Sequence, residues 1–190
     1  MSKGMFQIVS AALVLLALTA GTVSAGIVKQ YYKNGNLMAE MSMSGLTMQG
    51  LNKMYYESGK LMSEINYKDG RQEGLSREYY ENGKVKAECT YTKDMPQGVE
   101  KEYYETGELR AEIQYAAGNP QSKKVFYQNG TLKEDWDYRV TGPEDLAVVK
   151  SYNPDGSFAG EKTVQKTKHK QRKKKMRKID APINPPGVPQ

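Results

Sequence analysis

Tyr-Tyr pairs begin at Tyr31, Tyr55, Tyr79 and Tyr103, each 24 residues after the last. A fixed period of this length means one supersecondary unit copied in tandem, each copy burying surface against its neighbour. Other residues keep the same phase: Gly35, Gly59, Gly83 and Gly107, then Leu37, Leu61, Val85 and Leu109, then Glu40, Glu64, Glu88 and Glu112. A fifth copy, one residue short, has Phe126, Tyr127, Gly130, Leu132 and Asp135. After an insertion over Arg139–Leu146, a sixth and more diverged copy shows Tyr152, Gly156, Phe158 and Glu161.

Within a copy the period is two. Val85, Ala87, Cys89 and Tyr91 alternate with Lys84, Lys86, Glu88 and Thr90, which describes a half-buried strand. Asn34-Gly35, Asn82-Gly83, Asn129-Gly130 and Asp155-Gly156 lie between such runs, with Ser58-Gly59 and Thr106-Gly107 as weaker equivalents. These dipeptides predict two-residue hairpin turns of type I′, which need positive φ at both central residues. Such a turn sets Glu81 opposite Lys84, Tyr80 opposite Val85 and Arg77 opposite Glu88. The same rule pairs Lys29 with Glu40, Lys53 with Glu64, Lys101 with Glu112, Lys124 with Asp135 and Lys150 with Glu161. A cation across from an acid in every copy fixes the register, because like charges there would oppose it. One face then carries Tyr80, Val85, Ala87, Cys89 and Tyr91; the other carries Tyr79, the charge pair, Leu75 and Thr90. Longer Gly-containing segments such as Lys68–Gly74 connect the hairpins. The fold expected is all-β, an elongated single-layer antiparallel meander of about twelve strands.

The flanks have different compositions. Lys3 precedes the apolar run Ile8–Ala20, and Val23-Ser24-Ala25 presents small residues, the pattern of a secretory signal helix cleaved after Ala25. The apolar run is short for a membrane span of about 20 residues, so export to the periplasm or medium is expected. An uncleaved N-terminal anchor is the alternative. The repeats are expected over 26–163, and 164–190 forms a basic tail with a Pro-rich end, expected to be disordered. Net charge is +6, yet Lys166–Lys178 holds nine basic residues and no acid; removing nine leaves −3 for the rest. The basicity therefore belongs to the tail.

The pattern Tyr79-Tyr80-Glu81-Asn82-Gly83-Lys84-Val85-Lys86-Ala87-Glu88, onward to Gly98, resembles the MORN-repeat variant of bacterial proteins, and the resemblance spans about Lys29–Glu161. It implies a repeat sheet used for protein or lipid contacts, with no catalytic residues to carry over. Some members are described as antitoxin components of toxin–antitoxin modules, which implies an inhibitory or immunity-like role. An exported chain would meet only an exported toxin.

The chemical inventory points away from catalysis. Glu40, Glu64, Glu88 and Glu112 stand about 9.6 Å apart at two strands of about 4.8 Å each, near the upper end of glycosidase carboxylate spacings. Each, however, has a facing cation, which holds a carboxyl ionised where a general acid must stay protonated. Cys89 occupies the column of Met41, Ile65, Ile113 and Trp136 and reads as a packed small hydrophobe. One Cys permits no intramolecular disulfide, and with the single His169 it cannot build a zinc site of the usual ligand set. Asp155 reads as a turn residue rather than a calcium ligand. No catalytic, metal or cofactor site is expected.

Two surfaces are candidates for binding. Tyr31, Tyr55, Tyr79, Tyr103, Phe126 and Tyr152 form an aromatic ladder that stabilises the sheet and offers anchors to a protein partner. In the tail, Lys168, Lys170, Arg172, Lys173, Lys174, Lys175, Arg177 and Lys178 would draw the chain to an anionic membrane surface. Nucleic acid ranks last, since the tail lacks interleaved aromatics. The expected function is a non-enzymatic protein-interaction module of the cell envelope, with tail-mediated lipid binding as the alternative.

Overall fold

The computed structural model describes residues 25–139 and 146–165. The expected signal segment 1–24, the centre of the insertion and the basic tail lie outside the described residues. The rest is one antiparallel sheet of fourteen strands. In chain order these are β1 (Ala25–Tyr31), β2 (Leu37–Ser44), β3 (Thr47–Met48), β4 (Gly50–Tyr55), β5 (Leu61–Lys68), β6 (Arg71–Gln72) and β7 (Gly74–Tyr79). They continue as β8 (Val85–Thr92), β9 (Met95–Tyr103), β10 (Leu109–Ala116), β11 (Asn119–Phe126), β12 (Leu132–Asp137), β13 (Leu146–Tyr152) and β14 (Phe158–Gln165). Twelve strands follow one another across the sheet as a meander; the two-residue strands β3 and β6 stand off that path, paired to β2 and β5.

All six charge pairs face each other as expected, from Lys29–Glu40 to Lys150–Glu161. The turns that set them do not have the expected form. In place of type I′ turns, each loop has three residues. Gly83 N–H donates to Tyr80 C=O at 2.9 Å, and Tyr80 N–H donates to Lys84 C=O at 2.8 Å. Gly83 has φ +86°, while Asn82 is absent from the non-glycine residues with positive φ. That is a type I turn followed by a left-handed glycine. Glu81 therefore lies in the loop rather than facing Lys84, and Val85 faces Tyr79 rather than Tyr80. One residue later, Lys86 bulges out between Val85 and Ala87 and restores the Arg77–Glu88 pairing. The longer loop adds a residue to one side and the bulge takes it back, so the register equals that of the shorter turn. The equivalent shift recurs in β2, β5, β10, β12 and β14.

The two-residue primed turns sit at the opposite ends of the strands, where the sequence suggested longer connections. Asp69-Gly70, Lys93-Asp94 and Ala117-Gly118 each have positive φ at both positions, with Lys68–Arg71, Thr92–Met95 and Ala116–Asn119 paired around them. Between such a turn and the charge pair, two extra residues interrupt the ladder: Thr90 pairs Gln97, but Glu88 pairs Lys101. At the β10–β11 junction only one extra residue intervenes, between Gln114–Ser122 and Tyr115–Pro120. The short fifth copy has lost its residue from this bulge, where no ladder bond depends on it.

A single layer still buries a core. The buried apolar residues include Ala39, Ala87, Cys89, Ala111, Ile113, Tyr115 and Val149. Period-two alternation sets them on the face opposite the charges. Small residues there alternate across strands with long ones: Ser63 faces Glu78, Ala87 lies between Glu78 and Glu102, and Ala111 between Glu102 and Val125. A small side chain flanked by long stems is shielded from water without a second layer, and Ala111 has no exposed surface. The bulged Arg110 and Lys86 turn toward this face, reaching Glu102 at 2.6 Å and Glu78 at 3.5 Å. Cys89 is buried here, as its column suggested.

Candidate interaction surface

The other face is organised in straight rows. The charge pairs join into one: Lys29, Glu40, Lys53, Glu64, Arg77, Glu88, Lys101, Glu112, Lys124, Asp135, Lys150 and Glu161 each face the next. Every interior member has opposite charge on both sides. The sequence showed only the pairs within hairpins; those between hairpins depend on how many extra residues interrupt each junction, which no motif marks. Ion pairs close at Lys29–Glu40 (3.0 Å), Lys53–Glu64 (3.5 Å), Arg77–Glu88 (3.2 Å) and Lys150–Glu161 (3.9 Å). Hydrogen bonding from Lys29, then from Tyr55, holds the Glu40 carboxyl below the usual range, and Glu40 in turn raises Lys29.

The predicted aromatic ladder runs beside this row, two positions along each strand. Tyr31, Tyr55, Tyr79, Tyr103, Phe126 and Tyr152 face Leu37, Leu61, Val85, Leu109, Leu132 and Phe158. Three hydroxyls are engaged with the charge row. Tyr55 donates to Glu40 at 2.9 Å, Tyr79 to Glu64 at 2.9 Å and Tyr103 to Glu88 at 3.1 Å. Burial, reinforced by these carboxylates, raises all three phenols above the ordinary tyrosine range. These tyrosines remain partly exposed, so the ladder is open to a partner while its hydroxyls are engaged with the charge row.

The second Tyr of each pair has a separate role that the sequence reading did not assign. Tyr32, Tyr56, Tyr80 and Tyr104 donate to the backbone carbonyls of Tyr55, Tyr79, Tyr103 and Phe126, each at 2.7 Å. Tyr127 does the same to Tyr152 at 3.1 Å. Each hydroxyl thus latches its hairpin to the next one. The loop asparagines form a parallel line of latches. Asn82 Oδ1 accepts from Lys84 N–H at 2.9 Å, closing its own turn, and its Nδ2 donates to Glu105 C=O at 2.9 Å in the next loop. Asn34 and Asn129 repeat both contacts. The strong turn signal of these asparagines therefore reflects side-chain hydrogen bonding in a right-handed residue, not tolerance of positive φ.

A third row, on the far side of the charges, alternates exposed aliphatic residues with polar ones, Leu51 facing Asn66, Leu75 facing Thr90 and Val99 facing Gln114. Leu51, Leu75 and Val99 are 39%, 38% and 45% exposed and occupy equivalent places in three successive copies. Their 24-residue spacing was available in the sequence, but alternation counted within each strand did not single them out. The face thus offers an aliphatic row, an alternating charge row and an aromatic row side by side. Among the described residues no group of three or more His, Cys, Asp or Glu could hold a metal, and no helix is long and apolar enough to cross a membrane. The tail lysines and arginines from Lys168 to Lys178 lie outside the described residues.

The MORN repeat variant profile matches four tandem segments, residues 25–44, 48–69, 72–93 and 96–117. The first and fourth begin in β1 and β9 and the second and third in the short strands β3 and β6, and the last three end within the primed turns at Asp69, Lys93 and Ala117, so the profile follows the structural repeat. No curated protein matches the sequence. Among solved structures, TarM overlaps at a TM-score of 0.32 and 10% identity over 46% of this chain and 17% of that chain. A mutant of S. aureus TarM, in complex with fondaparinux, alpha-GlcNAc-glycerol and UDP, overlaps at 0.34 and 8% over 58% and 19%. This chain spans less than a fifth of either, and similarity at that level carries no information about activity.

Proposed function

We propose that this chain, built on tandem MORN repeat variants, is a non-enzymatic protein-interaction module exported to the cell envelope, where it displays the aliphatic, charged and aromatic rows to a protein partner. The observation that carries this reading is the exposure of Leu51, Leu75 and Val99 in phase, beside the half-exposed tyrosine rings. Regularly spaced apolar anchors rimmed by charge are the composition of a recognition surface. The partner sought is a protein presenting an extended apolar ridge flanked by both signs of charge. An antitoxin-like or immunity-like role against an exported toxin is one form of this function.

The reading is tested by placing a photo-crosslinking residue at Leu51, Leu75 or Val99, and at Lys86 on the opposite face as a control, in cells. A discrete adduct from the first three and none from Lys86 supports it; equal labelling of both faces defeats it. The alternative, attachment to anionic lipid through the tail, is favoured by the basic cluster 166–178. It predicts vesicle binding that needs anionic lipid, weakens with salt and disappears when that cluster is deleted.

A further inference from the structure

Among the described residues the sheet ends on two strands that pair on one side only, β1 and β14. A strand paired on one side turns a row of backbone donors and acceptors to its open side, the usual invitation to a further strand. We propose that these two edges pair with each other between molecules, β14 of one copy against β1 of the next, so that a second copy of this chain continues the sheet head to tail.

Four features meet at this junction. The charge row starts with Lys29 on β1 and stops with Glu161 on β14, so head-to-tail docking in the sheet's own register continues the alternation. The same register applied to two β1 edges sets Lys29 against Lys29, and to two β14 edges Glu161 against Glu161. The main path has an even number of strands, twelve, so β1 of an incoming copy runs antiparallel to β14 with its charged face on the same side. Tyr31 is also the one ladder tyrosine with no carboxylate before it. Tyr55, Tyr79 and Tyr103 each donate to the acid of the preceding hairpin, and Glu161 of another copy occupies that place for Tyr31. Finally, Tyr31 is 55% and Phe158 59% exposed, whereas every interior member of their two columns is half-buried. Head-to-tail docking brings the open ends of these two columns to one junction. Interior hairpins meet through pairs such as Ala39–Met54 and Glu40–Lys53. The corresponding intermolecular pairs are Gly160 with Gln30 and Glu161 with Lys29, and the alignment extends to Lys162 with Val28.

The test is sedimentation velocity of the full chain at low salt over a range of concentrations. Wild type is expected to form concentration-dependent oligomers. Lys29→Glu and Glu161→Lys should each weaken association about tenfold, because each sets like charges across the junction. An equimolar mixture of the two variants should recover it, since the reversed β1 edge of one then meets the reversed β14 edge of the other with opposite signs. A wild-type chain that stays monomeric, or association that survives Glu161→Lys, overturns the proposal. Should either variant unfold, disulfide trapping decides: Val28→Cys mixed with Lys162→Cys should cross-link at least several-fold faster than either alone. Equal or faster cross-linking of Val28→Cys by itself means head-to-head pairing and overturns it too.

Discussion

The Tyr79 hydroxyl donates to a carboxylate oxygen of Glu64, 15 residues earlier in the chain and 2.9 Å away. The bond crosses from one hairpin to the one before it, while Tyr80, the next residue, reaches forward to the carbonyl of Tyr103. The Tyr-Tyr dipeptide is thus a two-way fastener: adjacent residues point to opposite faces, and each face carries its own bond to a different neighbour.

Removing either bond should loosen the sheet by a similar amount. Tyr79→Phe and Tyr80→Phe are each expected to cost about 1 kcal/mol, the usual net worth of such a bond. Tyr79→Ala should cost about 3 kcal/mol, because ring packing is lost as well. Chemical denaturation followed by circular dichroism measures all three. No difference between Phe and Ala variants would show that the ring contributes nothing.

Turn geometry yields a gain-of-stability prediction. Ala117 has φ +48° in the primed turn Ala117-Gly118, a conformation costing an ordinary residue about 1 kcal/mol. Ala117→Asn should therefore stabilise the protein by about 0.5–1 kcal/mol. Gly83→Ala, at φ +86°, should destabilise it by at least about 1 kcal/mol, although nothing stands within 4 Å of the added methyl. The loss there is conformational, not steric.

Charge reversal inside the row should be felt on two sides. Glu88→Lys places a cation between Arg77 and Lys101 and should cost about 1–2 kcal/mol, an effect that shrinks as salt rises. The melting temperature at low and high ionic strength reports it.

Stability should fall toward both alkaline and acid pH. The folded state holds the protons of Tyr55, Tyr79, Tyr103, Tyr32 and Tyr138 more tightly than the unfolded chain, chiefly through burial. Above the ordinary tyrosine value of 10.0 the unfolded state has fewer protons than the folded one, so stability falls as pH rises through that range. On the acid side Glu40, Glu108, Asp137 and Asp155 have the opposite sign: their contributions are present above the ordinary carboxylate values of 4.5 and 3.8 and are lost as pH drops toward their lowered folded values. Thermal melts from pH 3 to 11 should show a decline at both ends of the range.

The register was legible from the sequence because Arg77 and Glu88 are paired whether the bend between them is a two-residue turn or a three-residue loop with a bulge. The same equivalence hid the bend itself. Asn82-Gly83 suits both geometries, and only the backbone tells them apart. The genuine primed turns escaped notice both at Asp69-Gly70, which reads as part of the longer connection Lys68–Gly74, and at Lys93-Asp94, which lacks glycine and whose positive φ values are held by bonds to Glu73 and Gln72. Lys93 N–H donates to Glu73 at 2.9 Å, and Asp94 accepts from Gln72 N–H at 2.8 Å. On the candidate surface, the aromatic row was found through its motif. The aliphatic row Leu51, Leu75 and Val99 was not, because its significance lies in exposure, which composition does not record.

Because each hairpin enters the charge row with a cation and leaves it with an acid, the unit is self-contained in sign. Duplicating or deleting one whole copy in the gene would leave every neighbour matched, and losing a single residue from a bulge, as in the fifth copy, disturbs nothing in the row. Such a chain can evolve its span in steps of one repeat without repairing its electrostatics at each step.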